Sequence, residues 1–156
     1  MSITIGQIAP DFKLYNSDKK EIGLSDFKGK NLLILFFPQA FTGTCTTELC
    51  TMRDDITTYT SLNTEIVGIS VDSLFTLGAY KQDQHLNFDL LSDFNKLICK
   101  EYDSYLEDFA FGMKGVSKRS AFIVDKNGLI QYAEICEKLT DLPNFEAIKT
   151  CLENLK

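Results

Sequence analysis

The sequence has little of what metal, membrane or nucleic-acid chemistry requires. Histidine occurs once, as His85 after the polar stretch Lys81-Gln82-Asp83-Gln84, so a zinc site would have to be built mostly from cysteine. No two of the five cysteines have Cys-x-x-Cys spacing, which argues against structural zinc, and no cofactor is expected. The cysteines are odd in number and unevenly placed, in a chain of 156 residues large enough to fold without them, which argues against a secreted disulfide framework. Lys+Arg 16 against Asp+Glu 22 gives a net charge of −6. The charges are scattered and form no basic face, so neither nucleic acid nor a membrane surface is an expected partner. Residues 1–10 lack a positive region followed by an apolar run, and no segment approaches bilayer length, so a cytoplasmic location is expected. Repeats, low-complexity tracts and Gly/Ser/Pro-rich linkers are absent too, so one domain over residues 1–156 is expected.

What is present suits one ordinary globular core, with 44% hydrophobic and 24% charged residues. Leu32 to Phe37 is a continuous apolar run, and Glu65 to Val71 is rich in branched residues; both read as central strands. Between them Leu49, Met52, Ile56 and Tyr59 recur at helical spacing, which predicts one helix from Thr46 to Leu62 and a parallel crossover. Further helices are predicted over Leu74 to Gln84 and over Asp93 to Tyr102, the latter with Phe94, Leu97 and Ile98 as its apolar face. Ala121 to Val124 and Leu129 to Tyr132 flank Asp125-Lys126-Asn127-Gly128, and Asn-Gly between such runs predicts an antiparallel hairpin. Pro143 to Leu155 predicts a closing helix. With an N-terminal hairpin around Asp18-Lys19-Lys20, the order describes an α/β thioredoxin-like arrangement: a central mixed sheet flanked by helices.

The chemistry concentrates where the first central strand ends. After Phe36-Phe37 comes Pro38-Gln39-Ala40-Phe41-Thr42-Gly43-Thr44-Cys45, which takes the chain out of a strand and into a helix with Cys45 in its first turn. Unpaired backbone N–H groups and the helix dipole favour an anion there, so the position selects for a thiolate, the nucleophilic form of cysteine. Thr42, three residues earlier, can place a hydroxyl over the same pocket, and Pro38 stiffens the loop without adding an N–H.

Pro38-x-x-x-Thr42-x-x-Cys45 resembles the active-site signature of the peroxiredoxins. The resemblance spans essentially the whole chain. It takes in Gly6-Gln7-Ile8-Ala9-Pro10-Asp11-Phe12, the Leu91-Ser92-Asp93 turn and an arginine, Arg119, before the strand Ala121 to Val124. It implies a thiol peroxidase acting on peroxide, with Cys45 oxidised to a sulfenic acid and electrons returned by thioredoxin or a similar dithiol. It also implies that Arg119, not the neighbouring Lys118, donates to Cys45 and the peroxide, with Glu48 orienting the arginine.

The five-residue spacing of Cys45 and Cys50 is similar to that of the peroxiredoxin Q, or bacterioferritin comigratory protein, group, in which the second cysteine resolves the first. Cys99 also resembles a position in some of those proteins. In a helix residues five apart lie roughly 7.5 Å apart along the axis and on different flanks, so this pairing would require Cys45 to about Met52 to unwind. Phe41-Thr42-Gly43 is more similar to the one-cysteine AhpE kind, which leaves resolution open between Cys50 and an external thiol. Cys99, Cys136 and Cys151 read as packing residues, and His85 as a solvated helix end. Phe36, Phe37 and Phe41 are candidates to line the peroxide pocket or a subunit contact, in a monomer or homodimer. The competing function is a thioredoxin-like disulfide-exchange or redox-sensing protein, against which the missing Cys-x-x-Cys speaks.

Overall fold

The computed structural model of the chain describes residues 3–155. Its elements in order are strands β1 (Lys13–Asn16) and β2 (Glu21–Gly23), then β3 (Asn31–Phe36), helices α1 (Gly43–Asp54) and α2 (Ile56–Ser61), strand β4 (Thr64–Ser70), helix α3 (Leu74–Asp83) and strand β5 (Asp89–Ser92). The short helix α4 (Leu97–Glu101) precedes the strands β6 (Tyr105–Asp108), β7 (Lys114–Ser117), β8 (Ser120–Val124) and β9 (Ile130–Ile135), and α5 (Phe145–Glu153) closes the chain. Seven strands make one mixed sheet in the order β2-β1-β5-β4-β3-β8-β9, while β6 and β7 pair separately.

The two apolar runs are central, as expected, because both of their faces are covered. β3 pairs parallel with β4 and antiparallel with β8. Alternation along β3 sends Leu33, Leu35 and Phe37 into one core with Leu49, Met52, Tyr59 and Tyr80. The intervening Leu32, Ile34 and Phe36 enter a second core with Ile98, Cys99, Tyr102 and Phe122. Gly68 in β4 permits the close layering beside α1: a Cβ there would lie 2.8 Å from Leu90 and 3.2 Å from Phe37. Both predicted hairpins are present, β1 with β2 and β8 with β9.

Three expectations are corrected. The helix from Thr46 to Leu62 begins earlier, at Gly43, and breaks at Asp55, whose carbonyl accepts the Thr58 N–H at 3.0 Å and whose carboxylate accepts the Thr58 hydroxyl at 3.1 Å. The helix over Asp93 to Tyr102 shrinks to Leu97–Glu101, with Phe94 and Leu97 exposed. Asp93 is buried instead, and its two carboxylate oxygens accept the N–H groups of Ile98 and Cys99, at 3.1 and 2.8 Å. Leu91 and Ser92 are not a turn but the end of β5, which pairs with both β4 and β1.

Candidate active site

The loop between β3 and α1 is built from both ends. Phe37 leaves the sheet with its N–H still bonded to the Ile69 carbonyl, and buried Pro38 follows it. Ala40 N–H then donates to the Asp72 carboxylate at 2.8 Å, which also accepts the Ser70 hydroxyl at 2.6 Å. Phe41 reverses the chain at φ +67°, an uncommon conformation for an aromatic residue, and its ring packs on Tyr80 with centroids 4.9 Å apart. Thr42 stands at the N-cap position of α1, yet its hydroxyl does not cap the helix. It donates across the loop to the Gln39 carbonyl at 2.8 Å, which leaves its oxygen free to accept.

Cys45 is the third residue of α1 and is 1% exposed. Its Sγ accepts a hydrogen bond from Arg119 Nη1 at 3.1 Å. The same Nη1 donates to Glu48 Oε1 at 2.9 Å, and Arg119 Nη2 donates to the Leu139 carbonyl at 2.9 Å. Glu48 lies one turn beyond Cys45 and shares its face of the helix. The contacts distinguish arginine from lysine: Arg119, buried, bonds Cys45 and Glu48, whereas the half-buried Lys118 lines the adjoining cleft.

Arg119 and Glu48 are 3% and 0% exposed. Burial pushes the Glu48 carboxyl up to about 7, against the opposing pull of Arg119. For Arg119 burial works against the cation, but attraction to Glu48 and Cys45 outweighs it and raises the guanidinium. Both shifts are upward, toward a neutral Glu48 and a charged Arg119, and because a guanidinium does not give up its proton, Glu48 is the member that titrates.

The remaining thiols divide by face. Cys50 is half-buried and donates to Gln84 Oε1 at 3.4 Å, beside the end of α3 and away from Arg119. Cys45 and Cys50 are both helical and unpaired. Cys99 belongs to the core on the other side of the sheet, where burial first, then Asp93, pushes its thiol up to about 12. Cys151 rests against α5's own core, its thiol raised by burial. Phe36 also faces away from Cys45 and packs on Tyr102 and Phe122, so it lines no peroxide pocket; Phe37 lies on the Cys45 side and Phe41 is 55% exposed. His85 is exposed, just past α3.

Two residues near the site had no functional expectation, Cys136 being read as a packing residue and Tyr80 not being singled out. Cys136 N–H donates to the Arg119 carbonyl at 2.9 Å, one pair beyond Ser120–Ile135, so its side chain falls on the Arg119 side of the sheet. Counting the hairpin register outward from Asn127-Gly128 would have found it. Burial and the Glu134 carboxylate push its thiol up to about 11. Tyr80, wholly buried, shares a hydrogen bond with Thr46 at 2.8 Å. A cleft of about 340 Å³ lies against Arg119, lined by Leu106, Lys118, Cys136 and Leu139. A larger one of about 530 Å³ sits at the far end of the sheet, by Leu32 and Val124, and has no thiol in its lining.

The family model described as the AhpC/TSA family matches residues 5–133. Peroxiredoxin Bcp of Bacillus subtilis is 36% identical over 129 residues, covering 82% of each chain. The mitochondrial thioredoxin-dependent peroxide reductase of Rattus norvegicus is 35% identical over 162 aligned positions, 97% of this chain but 60% of that protein. Among solved structures, peroxidoxin BcpB of Mycobacterium tuberculosis superposes with a TM-score of 0.87 at 21% identity, over 99% of both chains, a likeness of fold. With a family match over most of its length and a relative of that identity covered to four-fifths, the chain belongs to the AhpC/TSA family, among peroxiredoxins of the Bcp kind.

Proposed function

We propose that this protein is a thiol peroxidase that reduces hydrogen peroxide and small organic hydroperoxides through Cys45. The observation that carries the reading is the buried contact of Arg119 Nη1 with Cys45 Sγ at 3.1 Å, braced by Glu48 at 2.9 Å. Cys45 as thiolate attacks the distal peroxide oxygen, an S–O bond forms and the O–O bond breaks. The departing oxygen takes a proton and leaves as water or an alcohol. Arg119 supplies a fixed cationic donor where that charge grows, and the Thr42 oxygen is an acceptor for the peroxide hydrogen. Pro38 and Glu48 hold the loop and the arginine in register.

Cys45 is then a sulfenic acid. Cys50 attacks its sulfur, the S–O bond breaks, water leaves and a disulfide forms. Thioredoxin or a similar dithiol returns two electrons, in line with the name of the rat relative. Five unpaired cysteines fit residence in a reducing compartment such as the cytoplasm.

The test is peroxide consumption coupled to thioredoxin reduction. Substitution Cys45→Ser should abolish it. Retention of the original rate by that variant would overturn the assignment.

A further inference from the structure

The helix that carries Cys45 is weak by its own composition. Its first nine residues, Gly43 to Thr51, include a glycine and four threonines, all poor helix formers. No side chain caps it, and no acidic residue occupies its first turn. What holds this segment helical must therefore be tertiary contact.

The contacts come largely from α3. Tyr80 lies beneath the turn that contains Cys45, with its ring against Phe41 on one side and its hydroxyl 2.8 Å from Thr46 Oγ1 on the other. One turn further along α3, the Gln84 side chain accepts the Cys50 thiol. The far end of α1 is fastened differently, at backbone carbonyls: Arg53 Nη1 donates to the Gln84 carbonyl at 2.6 Å, and the Asn87 side-chain amide donates to the Arg53 carbonyl at 3.1 Å. The break at Asp55 separates all of this from α2. So the C-terminal end of α1 is anchored at backbone carbonyls, while the tertiary bonds on its N-terminal half join side chain to side chain, from Tyr80, Gln84 and Arg119.

We propose that Tyr80 is a positioning residue for the resolving step: its hydroxyl holds Thr46, and with it the first turn of α1, closed around Cys45 until the Cys45–Cys50 disulfide forms. The proposal rests on the assignment of Cys50 as the resolving thiol. For Cys50 to attack the Cys45 sulfenic acid, the helix between them must open, and opening breaks the Tyr80–Thr46 bond. Burial pushes the Tyr80 phenol up to about 12, so its hydroxyl stays neutral and the clasp is insensitive to pH around neutrality.

Tyr80→Phe deletes the clasp and keeps the ring contacts with Phe37 and Phe41, and Thr46→Val removes the same bond from the other side. For each variant, hydrogen exchange of residues 45–50 in the reduced protein and the rate of disulfide formation after one equivalent of peroxide should both rise about fivefold, the factor for one net hydrogen bond. The rate of Cys45 oxidation itself should stay within about twofold of the parent, a split that a merely structural role would not give. The double variant should match either single one. Unchanged exchange, with the disulfide still forming at its original rate, would overturn the proposal and leave Cys50 as the resolving thiol. Faster exchange with Cys50 still a free thiol after turnover would overturn the Cys50 assignment and this proposal with it.

Discussion

Replacing Arg119 by lysine keeps the positive charge and removes the geometry, so it separates two explanations of the site. In the parent, one guanidinium spans three acceptors: Cys45 Sγ at 3.1 Å, Glu48 Oε1 at 2.9 Å and the Leu139 carbonyl at 2.9 Å. A lysine offers a single point of charge on a shorter stem and cannot hold Glu48 on one side while presenting a fixed donor to peroxide on the other. The ammonium will settle on the buried Glu48 carboxylate, the nearer and stronger partner, and leave the sulfur. Loss of one preorganised donor to a developing oxyanion costs about 2.7–4 kcal/mol, or roughly 100- to 1,000-fold in rate. Arg119→Lys should therefore slow Cys45 oxidation by that factor, measured by competition against a reporter peroxidase under single-turnover conditions. Folding should suffer far less, by about 1 kcal/mol for the lost Leu139 bond, because the charge opposite Glu48 remains. Lys118→Ala, which leaves the Arg119 contacts to Cys45 and Glu48 in place, should leave the rate unchanged. If Arg119→Lys oxidised within about threefold of the parent, charge alone would suffice and the reasoning from fixed donors would be refuted.

Glu48 gives a prediction in pH. Burial raises its folded-state value from 4.5 to about 7, so the folded protein keeps a proton that the unfolded chain releases, and the associated stability is present at low pH and lost as pH rises through about 7. The loss amounts to about 3 kcal/mol between pH 4.5 and 7, and urea unfolding across that window should be flatter for Glu48→Gln, whose amide still offers Arg119 an acceptor; parallel curves would refute it. The weakness of α1 gives another. Thr47 is exposed and its hydroxyl only bonds back to Gly43, so Thr47→Ala should favour the helix by about 0.5 kcal/mol and slow disulfide formation about twofold. Cys45 oxidation should not change. A faster disulfide step in Thr47→Ala, followed by rapid quench and mass analysis, would show that opening of α1 does not limit resolution.

The parts of the fold that were legible in sequence are those fixed by local pattern. Leu32 to Phe37 reads as a strand covered on both faces, and Asn127-Gly128 as the turn of a hairpin. Cys45 was legible for the same reason, since a strand, a short loop and a helix start follow one another without a gap. Other elements depend on partners far along the chain. Asp89-Leu90-Leu91-Ser92 is too short to show a period and becomes a strand because β4 and β1 pair with it. Phe94, Leu97 and Ile98 do show a helical period, but Asp93 captures two amides that a longer helix would have bonded itself, and Lys96 turns left-handed at φ +62°. A side chain's competition for backbone is invisible to a count of apolar residues.

The site divides along the same line, and the division has a physical reason. Reactivity at Cys45 requires a helix start, which is a local feature and can be written into adjacent residues. Reversible opening of that start requires a helix too weak to persist alone, and Gly43 to Thr51 has that composition. The groups that compensate for the weakness must then come from elsewhere in the chain: Arg119 from β8's approach, Tyr80 and Gln84 from α3. A sequence can therefore announce a candidate nucleophile while concealing what restrains it. Had α1 been capped and alanine-rich, its tertiary clasp would be redundant, and Cys45 would be held in a turn from which Cys50 could not reach it.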